Sequence, residues 1–215
     1  MNVAEGRTEP TSGHEDATVR TRRKREPAAK LGKIVAAARD VFAQRGYHAT
    51  TIHEICTRAG VSVGSFYSHF DDKREVMSRV IEDLAQATIP ATAEWNFADQ
   101  GEITRHMDDF FADAAGVAVW HAWRQAVLED PELASTERQI ARLSLDTYAT
   151  AVRRSRLAAG ESDPSLLDPE VVAWAAIALF RANVVNPKDA PPHNVTARIL
   201  CELALGPRYR GGQPR

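Results

Sequence analysis

The sequence predicts an all-α protein in which an N-terminal helix-turn-helix is followed by a larger helical bundle. Three observations support this fold class. Apolar residues recur at three- and four-residue spacing, as on the buried face of a helix. Two segments, residues 130–132 and 168–170, read Asp-Pro-Glu, which combines a helix cap, a first-turn proline and an acid facing the helix dipole. No segment shows the alternation of apolar and polar residues that is typical of strands.

The composition is that of a globular protein, with 44% hydrophobic and 26% charged residues. The longest nearly apolar stretch, residues 171–179, is far shorter than the roughly 20 residues that a membrane span needs. The first residues do not resemble a secretory signal, so we expect a cytoplasmic protein. Cys56 and Cys201 lie in helical apolar patterns, which favours buried free thiols over the alternative of a disulfide.

Charge is distributed unevenly along the chain. Residues 19–80 contain 13 Lys and Arg against 6 Asp and Glu, a net charge of +7, whereas residues 81–215 contain 13 against 19, a net charge of −6. A concentrated basic segment is typical of nucleic-acid binding. A well-solvated surface is the alternative, and composition alone does not decide between the two.

The N-terminal elements follow in order. Residues 1–26 lack apolar periodicity and are predicted to form a disordered arm with a basic end, residues 20–25. That end either reaches DNA or only aids solubility. A domain at residues 27–87 begins with a helix that has Pro27 in its first turn and ends at Gly46 in a left-handed cap.

The next three helices are short or sharply marked. Thr51 and Glu54 have the spacing of a capping box, in which each side chain bonds the other's backbone amide. Gly60 suits the tight turn that follows, and Ser62 can cap a third helix running to Phe70. Asp71 or Asp72 then caps a fourth helix, at residues 73–84.

Residues 88–101 contain Pro90 and little periodicity, and they are predicted to connect two domains. The second domain, residues 102–206, is predicted to contain helices at about residues 102–118, 119–129, 131–159, 168–185 and 193–205. Residues 207–215 are expected to form a flexible tail.

Residues 33–83 resemble the DNA-binding domain of the tetracycline-repressor (TetR) family. The resemblance covers only this part of the chain, and the C-terminal part carries no comparable signature. The matching residues are Ile34, Ala37, Ala38, Phe42, Gly46, Tyr47, Thr50, Thr51, Ile55, Ala59, Gly60, Val61, Ser62, Gly64, Ser65, Phe66, Tyr67, His69, Phe70 and Lys73.

A helix-turn-helix places its second helix in the major groove of DNA. Hydroxyl, phenol and imidazole groups there can bond base edges or phosphates, and Val63 can touch a thymine methyl, although it departs from the polar or basic residue often seen in the family. Phe66 and Phe70 are expected in the core, and Thr51 is primarily a cap. The predicted DNA contacts are Thr50, Thr51, Ser62, Val63, Gly64, Ser65, Tyr67, Ser68, His69 and Lys73.

The resemblance also implies a homodimer and a small-molecule pocket in the C-terminal domain. The last two long helices form the natural dimer seam, with apolar stripes that include Val171, Val172, Ile199 and Leu200, unless those residues pack within one chain. Aromatic residues in an Ala-rich region suit an apolar cavity, although such residues are more often simply core. The preferred ligand contacts are Phe111, Trp123, Tyr148, Trp174 and Asn183.

Enzyme, metal and cofactor signatures are missing: there is no phosphate loop, no nucleophile elbow and no Cys or His pair with zinc spacing. We therefore expect a non-enzymatic transcriptional regulator that binds double-stranded operator DNA. It would act as a repressor that a small, largely apolar effector releases, with no cofactor, metal or membrane partner. The alternatives are an architectural DNA-binding protein without an effector and an α-helical enzyme.

Overall fold

A computed structural model describes residues 15–206 of the chain, with side chains from residue 28 onward. Within those residues the regular structure is entirely helical, which confirms the predicted all-α class. Two short 3₁₀ turns, Pro90–Glu94 and Pro131–Leu133, lie between the helices. The α-helices are α1 Glu15–Ala49, α2 Ile52–Ala59, α3 Val63–Tyr67, α4 Lys73–Thr88, α5 Gln100–Ala112, α6 Ala114–Glu129, α7 Ala134–Ala159, α8 Pro169–Val185 and α9 His193–Leu205.

The first helix differs from its prediction at one end and agrees at the other. It begins at Glu15, so residues 15–26 are helical and not disordered, and Pro27 lies within the helix and not in its first turn. Arg, Lys and Glu are good helix formers, and they fill most of residues 20–26. Residues 1–14 and the predicted tail at 207–215 lie outside the described residues. Gly46, with φ 73°, interrupts the helix where its end was predicted.

Three other predictions need correction. The break between the fifth and sixth helices falls at Asp113 and not at residue 118, because the Asp113 carboxylate accepts a hydrogen bond from the backbone amide of Gly116 and so starts α6 early. Helix α3 ends at Tyr67, and a turn carries the chain on to Phe70. The connection at residues 88–101 is also part of the core, since Trp95 and Phe97 are buried and the Phe97 amide donates to Ser155 Oγ at 2.9 Å.

The buried side chains form two hydrophobic cores. The first core joins α1–α4 to α6 and the beginning of α7, and it includes Phe42, Phe66 and Trp123. The second core joins residues 95–97 to α5, the later part of α7, α8 and α9. Cys56 and Cys201 are free buried thiols, one in each core, which confirms the prediction. No helix in the described part of the chain has the length and apolarity of a membrane span.

Candidate functional site

The helix-turn-helix is built by local hydrogen bonds that the sequence predicted. Thr51 Oγ1 accepts from the Glu54 amide at 3.2 Å, and the Glu54 carboxylate accepts from the Thr51 amide at 3.0 Å, so the capping box is present. Gly60 turns the chain with φ 65° and ψ 37°. Ser62 Oγ then accepts from the Ser65 amide at 3.1 Å and starts α3.

The two phenylalanines of this segment fix α3 against the rest of the domain. Phe66 and Phe70 are buried in the first core, as predicted, with ring centroids 5.6 Å apart. Because these rings point inward, the opposite side of α3 is exposed. Tyr67 is 54% exposed and Val63 is 41% exposed. Ser62, Gly64 and Ser68 are also exposed, and Ser65 and His69 are half-buried.

Gly64 is not required by the packing around it. A Cβ atom at this position would meet only Ser62 Oγ, at 4.0 Å, and the residue does not have a positive φ. Glycine inside a helix is nonetheless about 1 kcal/mol less favourable than alanine. The local fold therefore gives no reason for a glycine on this exposed face.

Two of the residues predicted to contact DNA make hydrogen bonds within the chain. Thr50 is buried, and its hydroxyl donates to the Gly46 carbonyl oxygen at 2.7 Å. The Lys73 ammonium donates to the carbonyl oxygens of Tyr47 at 2.8 Å and Thr50 at 3.1 Å, and it lies 4.4 Å from the centre of the Tyr47 ring. Burial lowers the pKa of Lys73. Both side chains thus fasten the start of α4 to the end of α1.

A family model for bacterial regulatory proteins of the tetR family matches residues 34–80. This segment is therefore a TetR-family DNA-binding domain. The TetR-family model covers α1 from Ile34 onward, α2, α3 and half of α4, which is the helix-turn-helix described above. The resemblance that the sequence carries is therefore confirmed.

Curated relatives resemble the TetR-family domain of this chain. The chain is 36% identical over 59 residues to the transcriptional repressor KstR2 of Mycolicibacterium smegmatis and 43% identical over 53 residues to the transcriptional activator FasR of the same organism. Those segments are 27% and 25% of this chain and only 29% and 24% of the relatives. The likeness to these regulators is thus confined to the DNA-binding domain.

Solved structures resemble the chain over most of its length. Salmonella enterica GusR has a TM-score of 0.69 at 20% identity and covers 82% of this chain and 94% of its own. The regulator FadR of Bacillus subtilis, solved in complex with stearoyl-CoA, has a TM-score of 0.61 at 19% identity, covering 81% of this chain and 97% of its own. At such identities the likeness shows that the fold is shared.

A cavity of about 380 Å³, called here the central cavity, lies between the two cores. Its walls come from the end of α4, the 3₁₀ turn Pro90–Glu94, and helices α5 to α8. The lining is mostly aromatic and aliphatic, and charged groups interrupt it at a few places. The wall includes Ile89, Trp95, His106, Asp109, Phe110, Asp113, Trp120, Arg124, Glu137, Ile140, Tyr148, Ile177, Phe180 and Arg181.

Of the predicted ligand contacts, only Tyr148 lines the central cavity. Trp123 is fully buried behind the wall, where its Nε1 donates to Glu137 at 2.7 Å. Trp174 is 67% exposed on the outside of α8. Phe111 and Asn183 line a separate and wider cleft between α1, α6 and residues 185–193.

The residues that sequence reasoning missed lie on regular helical faces. Gly116, Trp120 and Arg124 follow one another at four-residue spacing on α6, and Glu137, Ser144 and Tyr148 share one side of α7. That spacing was visible in the sequence. It did not indicate which of the neighbouring tryptophans, Trp120 or Trp123, faces a cavity.

Proposed function

We propose that this TetR-family chain is a transcriptional regulator that binds operator DNA through the exposed face of α3. The observation that carries the proposal is Gly64. It lies beside the exposed residues Val63, Tyr67 and Ser68, and a glycine that the fold does not need leaves room for a close partner. The predicted contacts retained in the proposal are Thr51, Ser62, Val63, Gly64, Ser65, Tyr67, Ser68 and His69.

The proposal includes a homodimer formed through α8. Residues 171–180 of this helix are all apolar, a pattern typical of helices that are covered in the assembled protein. Its inner side, including Val172, packs in the second core, while Val171, Trp174 and Val185 are exposed. Two copies of α3 are needed to read two half-sites of an operator, and a symmetric pairing of the α8 faces supplies them.

The proposal also includes release by a small, largely apolar effector held in the central cavity. Helix α4 connects the two sites directly. Its first residue, Lys73, donates a hydrogen bond to the Tyr47 carbonyl oxygen near the end of α1. Its last residue, Thr88, and the following Ile89 form part of the cavity wall. An effector that favours a different position of this wall would change the separation of the two α3 helices and weaken binding. The stearoyl-CoA complex of FadR is a precedent for an effector with a long apolar part.

The DNA part of the proposal is tested by Gly64→Ala. Alanine is the better helix former, so the variant should be as stable as the parent or more stable by up to about 1 kcal/mol. Its affinity for the DNA upstream of its own gene, measured by fluorescence anisotropy, should fall at least tenfold. The control is Gly32→Ala in α1, where the added Cβ also meets open space. Unchanged affinity in Gly64→Ala would contradict the proposed interface.

A reporter gene behind the same upstream DNA tests the direction of regulation. Repression by occupancy predicts that reporter expression rises when the chain is absent. Expression that falls in its absence would instead make the chain an activator, as FasR is.

A further inference from the structure

The wall of the central cavity contains a compact charged cluster of three residues. Glu137 on α7 lies between two arginines, with its Oε1 2.9 Å from Arg124 Nη1 and 2.6 Å from Arg181 Nη2. Its Oε2 accepts the hydrogen bond from Trp123. The Glu137 side chain is only 16% exposed, against 26% for Arg124 and 37% for Arg181. Both carboxylate oxygens are therefore engaged by donors of the protein itself.

This cluster carries one positive charge more than its single carboxylate balances. Burial lowers the pKa of Arg181, the carboxylate of Glu137 opposes that change, and the like charge of Arg124 adds to it. A partly buried charge without a counter-charge is costly, because the wall cannot solvate it as water does. The cluster thus suits an anion that arrives from the cavity.

One buried hydrogen-bond donor without a partner belongs to a residue that is one helical turn from Arg124. Trp120 is one helical turn before Arg124 on α6, and both residues line the central cavity. Among the residues whose side chains are described, Trp120 Nε1 is the buried side-chain nitrogen or oxygen that has no hydrogen-bond partner. An indole N–H can only donate, so this group needs an acceptor.

Besides Glu137, the acidic residues of the cavity wall are Asp109 and Asp113. Asp113 precedes Arg124 by eleven residues, which is about 16 Å along α6, and its carboxylate is paired with Arg39 at 2.9 Å. Asp109, on α5, is exposed. His106 Nδ1 lies 2.9 Å from the Glu102 carbonyl oxygen of the same helix. The wall from Ile140 to Tyr148 and the facing Ile177 and Phe180 are largely apolar.

We propose that the Arg124–Arg181 end of the central cavity binds the carboxylate of an amphiphilic effector, whose apolar chain runs along the aromatic lining. The inference rests on the proposed function, because it names the chemical class of the effector. Guanidinium groups hold carboxylates through paired, charge-assisted hydrogen bonds. The Trp120 N–H supplies a third donor, and a cavity of about 380 Å³ is within the usual range for small-molecule sites.

The test compares three probes that share one alkyl chain: decanoate, decanol and decylammonium. Each is titrated into the full chain by isothermal titration calorimetry. Decanoate should bind at least tenfold more tightly than decanol, and decylammonium should bind most weakly. Arg181→Met should reduce the affinity for decanoate to that for decanol without changing the latter. The control Arg138→Met alters an exposed arginine of α7 that does not line the cavity and should change neither.

Trp120→Phe provides a second variant that does not depend on the stability of Arg181→Met. It removes the indole N–H and should weaken decanoate binding several-fold while decanol binding stays unchanged. Equal affinities for decanoate and decanol, tighter binding of decylammonium, or no binding of any probe would each overturn the carboxylate proposal. DNA binding is measured in the same samples. If the parent chain did not bind DNA, the proposed function would be contradicted. If it bound DNA but not decanoate, only the proposed class of effector would be wrong.

Discussion

The two hydrophobic cores differ in how completely the chain covers them. In the first core, Phe42, Phe66 and Trp123 are fully buried. In the second core, the inner side of α8 is covered while Val171 and Trp174 on its outer side face solvent. Large exposed apolar side chains on one helix are typical of an interaction surface. The outer side of α8 is therefore the face on which the proposed homodimer would form.

The division into cores also differs from the domain boundary that the sequence suggests. Helix α6 lies beyond residues 88–101, yet its Val119, Trp123 and Ala126 belong to the first core with α1–α4. The central cavity lies where the two cores meet, since Ile89 and Ile140 come from the first core and Trp95 and Tyr148 from the second. A ligand in that position contacts both cores at once. We infer that α6 moves with the DNA-binding helices.

The largest effect is expected for Phe66→Ala, which tests whether α6 and the helix-turn-helix share one core. Removing a buried aromatic ring should lower the free energy of unfolding by about 3–5 kcal/mol. Hydrogen exchange should show that α6 loses protection together with α1–α4. The control Leu157→Ala changes a side chain that is 82% exposed and should have little effect. Continued protection of α6 while α1–α4 open would show that the cores are independent.

Trp174→Glu tests whether the second core is completed by another copy of the chain. A buried charge at a central tryptophan of an interface should weaken dimerisation by about 2 kcal/mol or more, roughly thirtyfold in Kd. Sedimentation equilibrium measures the change, and circular dichroism should show that the helices persist. Leu157→Glu, at a still more exposed position on α7, should leave the dimer intact. A monomeric parent chain would contradict the proposed role of α8.

The same comparison explains how much could be predicted from the sequence. In the first core, the Thr51–Glu54 box and the inward Phe66 and Phe70 were predicted because their partners are three or four residues away. The contacts that Thr50 and Lys73 make within the chain were not predicted. The partners of Lys73 are 23 and 26 residues distant, so only the packing of α4 on α1 reveals them.

The central cavity was less predictable for a related reason. Trp120 and Trp123 are one turn apart on α6 and have the same chemistry. The packing of α7 and α8, which carry Glu137 and Arg181, determines that Trp120 lines the cavity and that Trp123 is buried behind its wall. Local spacing therefore predicts a helical face, and the position of distant helices determines what that face contacts.

Lys73→Met should have an intermediate effect, and it distinguishes a structural ammonium from one that contacts phosphate. Losing the hydrogen bonds to Tyr47 and Thr50 should cost about 1–3 kcal/mol of stability, measured by urea denaturation. Arg79→Met, on the exposed side of α4, is the matched control. If the variant kept its stability but its DNA binding depended less steeply on salt concentration, Lys73 would be a phosphate contact.

The smallest effect on stability is expected for Arg74→Met, which tests communication between the cores. Arg74, at the start of α4, pairs with Asp72 at 2.7 Å and with Glu132, which lies just before α7. Helix α7 carries Glu137 in its first turn, at the cavity wall. The pairs are partly exposed, so their loss should change stability by less than about 1 kcal/mol.

Because Arg74 links the helix-turn-helix to the helix that carries Glu137, its loss should affect the response to effector more than the fold. The shift in DNA affinity caused by saturating decanoate should shrink by about 0.5–2 kcal/mol in Arg74→Met. DNA affinity without decanoate provides the reference, and Arg79→Met again serves as the control. An undiminished decanoate response would mean that the cavity acts on the DNA-binding helices through the last turn of α4 alone.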